Sequence, residues 1–156
     1  MTDTDFMKAA LAKAHEAARK GEVPIGAVIV RNGEVIATGR NRREAGKDAL
    51  LHAEIVAIRN ACRKLGAWRL EDCTLYVTLE PCPMCAGAVI NARIPRVVYG
   101  CSDAKAGAYG GVFDLRSYAF NHRYEVTGGV LAGECAALLS DFFADLRAQK
   151  KTTTSE

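Results

Sequence analysis

No apolar run in this 156-residue chain approaches the ~20 residues that a membrane-spanning helix needs. The first residues, MTDTDFMKAALAKAHEAARKG, are charged and amphipathic and lack the apolar stretch of a signal peptide. These absences predict a cytoplasmic location and no membrane partner. Without signs of secretion, the six cysteines are expected as free thiols or metal ligands in preference to disulfides. A large charge excess is lacking too. Lys and Arg number 21 against 18 Asp and Glu, a net +3, which permits an RNA partner without demanding one. No internal repeat or linker interrupts the chain. The expectation is one domain over residues 1–150, followed by a polar, disordered tail over 151–156.

What is present reads as alternating helices and strands. Phe6, Ala10, Leu11, Ala14 and Ala17 recur at helical spacing before Gly21, which predicts a helix from about residue 5 to 20. In IGAVIVRNGEVIATGR, two β-rich runs are joined by Asn32-Gly33, the signal of a tight type I′ hairpin. From His52 to Gly66 the spacing of Ile55, Ile58, Cys62 and Leu65 is helical again. CTLYVTL forms a third strand, and MCAGAVINA is apolar nearly all round, as a buried helix would be. RVVYG makes a fourth strand, joined to the third by a helix long enough for a parallel crossover. NHRYEVTGGV offers a weaker fifth. Cys135, Leu138, Leu139, Phe142 and Leu146 mark one stripe of a C-terminal helix. The predicted fold class is α/β: a three-layer α/β/α sandwich with a mixed five-stranded sheet.

The stretch TLEPCPMCAGAVI carries Cys82 and Cys85, a Cys-x-x-Cys pair at the step from strand to helix. Such a pair can be a redox couple, half of a four-ligand structural zinc site, or two legs of a catalytic metal site. A helix N-terminus favours thiolates, the form that binds metal. Upstream, LLHAEIVAI places His52 and Glu54 at the start of a helix. One imidazole and two thiolates give zinc three protein ligands and leave a fourth position for water, the pattern of a catalytic site. Glu54, two positions after His52, supplies a group to move protons. Cys62, Cys73, Cys101 and Cys135 lie in or beside apolar runs and read as small core residues. Read one at a time, His52 would more often be a satisfied structural histidine, and Glu54 a solvated first-turn glutamate favoured by the helix dipole. The combination His-x-Glu with Pro-Cys-x-x-Cys is the already known signature of zinc-dependent nucleobase deaminases, which this chain matches.

Over nearly its whole length, through EVPIGAVIV, HAEIVAI, TLYVTLEPCPMCAGA, RIPRVVYG, DAKAGAYGG, NHRYEV and ECAALLSDFFADLR, the sequence resembles the bacterial tRNA-specific adenosine deaminases. The resemblance implies a cytidine deaminase-like fold, a homodimer, and one Zn2+ per chain held by His52, Cys82 and Cys85. It implies a hydrolase of tRNA processing that converts the wobble adenosine of an anticodon stem-loop to inosine, by zinc-activated hydroxide attack at carbon 6 of adenine with Glu54 as proton shuttle. It also implies that Asn41 hydrogen-bonds the purine, Val23 packs on its face, Asp103 meets the RNA backbone, and Phe143 shapes the nucleotide pocket. Asn41 as a turn residue, Val23 as core, Asp103 as a local cap and Phe143 as a seal of the core are the plainer readings. Arg147, Lys150 and Lys151 are candidate phosphate contacts, or a solvated helix end. Leu50 and Leu51 precede His52 where many relatives carry Asp-Pro and small or polar residues. Two rivals stand beside this reading: a free-base guanine deaminase with the same zinc site, and a non-enzymatic zinc-stabilised binding module. The C-terminal segment and DAKAGAYGG speak against the first, Glu54 and the missing fourth ligand against the second.

Overall fold

The computed structural model describes residues 1–154, with side chains through 151. Helix α1 (Asp3–Arg19) starts at Thr2, whose side chain accepts the Asp5 N–H while the Asp5 carboxylate accepts the Thr2 N–H. This reciprocal capping box sets the start two residues earlier than the apolar spacing alone suggests. Strands β1 (Gly26–Arg31) and β2 (Glu34–Arg40) form the expected hairpin. Asn32 and Gly33 both take positive φ, 52° and 76°, as a type I′ turn requires. A four-residue helix α2 (Arg43–Gly46), absent from the sequence reading, precedes α3 (Ala53–Leu65). Then follow β3 (Cys73–Leu79), α4 (Pro83–Ala92), β4 (Arg96–Cys101), a 3₁₀ turn at Leu115–Ser117, β5 (Glu125–Thr127) and α5 (Ala132–Thr154). The last helix runs past residue 151, where the disordered tail was expected to begin; the final part of that tail, 155–156, lies outside the described residues.

The five strands form one mixed sheet in the order β2-β1-β3-β4-β5. β1 is antiparallel to both neighbours, and β3, β4 and β5 run parallel. Helices cover both faces. On one side α3 and α4 close a core containing Ile29, Leu75, Val77, Val89 and Val97; on the other α1 and α5 close a second with Phe6, Met7, Val28, Val98 and Cys135. Each fully buried aliphatic side chain contributes about 1.5–3 kcal/mol relative to exposure. Gly39 lets α3 approach the sheet, since a Cβ there would meet the Ala53 carbonyl oxygen at 2.4 Å. The first turn of α3 is thereby pressed against β2.

Helix α4 departs from the all-round burial its composition suggests. Cys85, Ala86, Val89 and Ala92 face the core, while Gly87 and Ile90 are half-buried and Asn91 is exposed. No helix among the described residues is long and apolar enough to cross a membrane.

Candidate active site

The N-terminal ends of α3 and α4 meet at one edge of the sheet. His52 is the N-cap of α3 and Cys82 the N-cap of α4, both extended, with φ/ψ of −70°/153° and −75°/173°. N-cap side chains ordinarily accept a backbone N–H of the first turn, and Ser, Thr, Asp and Asn are chosen for that purpose. Neither His52 nor Cys82 does so, which leaves both side chains for each other. Pro83, in the first turn, supplies the fixed φ of a helix start. Cys85 follows on the same turn and is fully buried.

Cys82 Sγ lies 3.7 Å and Cys85 Sγ 3.6 Å from His52 Nδ1, and the three ligand atoms all fall within 4.8 Å of one another. With zinc–sulfur near 2.3 Å and zinc–nitrogen near 2.0 Å, two vertices of a tetrahedron sit roughly 3.6 Å apart. The donor set and its spacing therefore fit a metal ion with three protein ligands. The thiols point the same way. A hydrogen bond from Cys85 holds the Cys82 thiol down to about 4, and the thiolate so formed pushes Cys85 well above its ordinary range. Two adjacent thiols cannot both ionise without a cation between them. The His52 imidazole is shifted upward by its hydrogen bond to Cys82.

Glu54 lies in the first turn of α3, 4% exposed. Burial pushes its carboxyl up to about 7, and it reaches the Cys85 thiol. A carboxyl kept from water beside the three ligands is suited to carry a proton.

Two loops flank this cluster. The first contains Asn41, whose N–H donates to the Ile25 carbonyl and whose Oδ1 accepts the Arg43 N–H at 3.2 Å. Val23, Asn41, Arg43, Glu44, Phe142 and Leu146 line a cleft of about 420 Å³. Phe142 thus stands with Val23 and Asn41, whereas Phe143 lies on a neighbouring groove with Lys105 and Arg147. The second loop contains Asp103, whose Oδ1 accepts the N–H groups of Lys105 and Ala106 and so caps its own turn. Leu51 packs over Gly46 of α2, and Leu50 is exposed. Of the other cysteines, Cys73, Cys101 and Cys135 are buried and Cys62 is half-buried, all as free thiols.

Two carboxylates were given no role by the sequence reading. Glu22, 1% exposed, accepts the Glu44 and Ala45 N–H groups at 3.0 and 2.7 Å, and Glu80, 2% exposed, accepts three N–H groups of the Asp103 loop. The sequence shows them only as glutamates directly before Val-Pro and Pro-Cys.

A mixed sheet with a His, Cys, Cys cluster and a buried glutamate at two converging helix starts defines a deaminase of the cytidine deaminase-like class. The family model for MafB19-like deaminases matches residues 1–147. A tRNA-specific adenosine deaminase of Bacillus subtilis is 53% identical over 96% of this chain and 93% of that protein, and one of Streptococcus pyogenes is 46% identical over 96% and 95%. A solved deaminase of A-to-I editing at the wobble position of transfer RNA shares 45% identity and a TM-score of 0.81, covering 87% of this chain and 99% of that one. A guanine deaminase from Nitrosomonas europaea superposes with a TM-score of 0.77 at 28% identity, covering 90% and 84%. The chain belongs to the MafB19-like deaminase family and, within it, to the tRNA-specific adenosine deaminases.

Proposed function

We propose that the protein hydrolytically deaminates the wobble adenosine of a tRNA anticodon loop to inosine, in the cytoplasm, with one zinc ion held by His52, Cys82 and Cys85. The tetrahedral spacing of those three ligand atoms beside a buried glutamate carries the chemistry, and the 53% identity to a tRNA-specific adenosine deaminase supports the substrate. Zinc held by His52, Cys82 and Cys85 would make a bound water available as a nucleophile near neutral pH. Glu54 would take one proton of the water as its oxygen bonds to carbon 6 of adenine and deliver it to the neighbouring ring nitrogen. It would then take the second proton from the hydroxyl on carbon 6 and pass it to the exocyclic amine, which leaves as ammonia as its bond to carbon 6 breaks and the carbonyl of inosine forms. Burial keeps bulk water from competing for that proton.

The target base enters beside Asn41 and Val23. Because Asn41 Oδ1 already accepts the Arg43 N–H, its Nδ2 is the atom that donates to the purine. Val23 packs against the ring, and Asp103 orders the backbone beside the displaced nucleotide. Phe143, with Lys105 and Arg147 along its groove, meets a flanking nucleotide. A base inside a duplex hides carbon 6, so the substrate is a loop nucleotide. The test is conversion to inosine in an anticodon stem-loop with adenosine at the wobble position, against the same sequence in duplex RNA. Efficient conversion only in the loop is expected; preference for the duplex would refute the reading.

The protein acts as a homodimer on this reading. A groove along the half-exposed side of α4, lined by Gly87, Ile90, Asn91, Leu115 and Phe120, continues to the exposed Tyr118 and offers a second copy an apolar surface. Light scattering of the active enzyme is expected to give twice the chain mass, and a fully active monomer would exclude the dimer.

A further inference from the structure

We propose that Glu80 is a positioning residue: its buried carboxylate gathers the 103–111 loop and thereby sets Asp103 relative to the cysteine helix. Glu80 ends the run from β3, two residues before Cys82. An ionised carboxylate withdrawn from water is costly unless its oxygens are fully hydrogen-bonded. Among the described residues no cation pairs with Glu80; its bonds come from the backbone of one loop. Oε1 accepts the Asp103 N–H at 2.9 Å, and Oε2 accepts those of Tyr109 at 2.8 Å and Gly111 at 2.9 Å.

The loop has little regular structure of its own and is wrapped tightly on this one group. A Cβ at residue 107 would sit 2.2 Å from Glu80 Oε2, and one at residue 111 would sit 2.0 Å from the Asp103 carbonyl oxygen. Two of the three glycines of DAKAGAYGG, Gly107 and Gly111, are therefore explained by close approach of backbone to carboxylate and backbone to backbone. The Ala108 N–H also donates to the Pro81 carbonyl at 2.9 Å. Residues 80 to 82 thus hold a wall of the site through Glu80 and Pro81 and a cluster member through Cys82. Among the described residues nothing else ties the Asp103 N–H.

The bonding is unequal, and that makes the proposal specific. A glutamine keeps one oxygen acceptor and replaces the other with an amide donor. Satisfying the larger number of loop N–H groups turns its oxygen to Tyr109 and Gly111, and its NH2 then faces the Asp103 N–H. Glu80→Gln should cut the tie to Asp103 while sparing the rest. The kinetic arm of the test rests on the proposed RNA activity. On the wobble-adenosine stem-loop, KM is expected to rise about tenfold, the loss of one charge-assisted hydrogen bond, with kcat falling much less and zinc content unchanged. In an Asp103→Asn background, which keeps the turn's acceptor but removes the charge, Glu80→Gln should add little further. An equal KM rise in both backgrounds, a fall in kcat alone, or no change overturns the proposal. Amide exchange in the unaltered zinc enzyme tests the anchor without any variant. The N–H groups of Asp103, Tyr109 and Gly111 should exchange slowly, and fast exchange at these three contradicts the proposal even if Glu80→Gln fails to fold. Should the native enzyme leave the stem-loop untouched, the substrate reading fails while slow exchange would still uphold the anchor.

Discussion

The reactive cluster and the walls around it are built in opposite ways. His52 with Glu54, and Cys82 with Cys85, each come as neighbours in sequence on the first turn of a regular helix, so helix geometry itself aims them at one point. The walls at 41–46 and 103–111 are loops with one short helical turn, and their shape is set from outside by Glu22 and Glu80, which stand 22 to 31 residues away from the amides they bind. On the proposed function, chemistry is thus carried by short motifs, and substrate shape by long-range hydrogen bonds to buried carboxylates. The comparison predicts that damage to the cluster abolishes reaction, whereas damage to the walls changes how well RNA is held.

The largest effect is expected from Cys85→Ala. It leaves two strong ligands, so zinc is lost, activity disappears, and the melting temperature falls because metal bound only by the native state contributes to folding stability. Elemental analysis and thermal melts with and without added zinc measure this; a full complement of zinc would mean that a different thiol completes the site. Glu54→Ala comes next and separates chemistry from metal. Its activity is expected to fall about 10²-fold or more, the range supplied by general acid–base groups, with one zinc per chain retained. A variant that sheds its zinc would make Glu54 a ligand.

A smaller effect falls on the wall. In Glu22→Gln, one of the Glu44 and Ala45 N–H groups loses its acceptor, which loosens α2 and with it Asn41. Steady-state kinetics on the stem-loop should show KM raised about three- to tenfold, the scale of a single hydrogen bond to a charged group. A 10²-fold loss confined to kcat would erase the distinction between wall and cluster.

The smallest lies remote from both. A hydrogen bond from Arg96 holds the Asp3 carboxyl down to about 2 from its ordinary 3.8, with Tyr76 donating as well. A carboxyl depressed in the folded state stabilises above its unfolded value, and that stability is lost as pH falls from about 4 through about 2. For this half-exposed pair it is under about 1 kcal/mol. The urea midpoints of wild type and Asp3→Asn should differ most above about pH 4 and converge on acidification, with kinetics unchanged at neutral pH. A difference that widened in acid would reverse the assignment.

The same contrast explains what could be read from the sequence. The helices, the strands and the four cluster residues were legible because each signal is local: apolar spacing, the Asn32-Gly33 turn, and ligand motifs at helix starts. Helix α2 is too short to show a period. Glu22, in the turn after α1, and Glu80, just past the end of β3, look like ordinary surface glutamates until the loops that donate to them are in place. Phe142 and Phe143, adjacent in sequence, point about 100° apart on a helix, and only the docking of α5 decides that Phe142 lines the cleft with Val23 and Asn41. The outer side of α4 reads as core because composition records hydrophobicity and not which surface covers it.

If the walls at 41–46 and 103–111 select RNA for a general deaminase cluster, a direct competition shows it. The zinc enzyme is given an anticodon stem-loop with adenosine at the wobble position and free guanine together, and inosine and xanthine are quantified over the same time course. Inosine in the stem-loop with little xanthine is the predicted result. Efficient xanthine formation with the stem-loop unchanged would contradict the account and assign the same cluster to a free base.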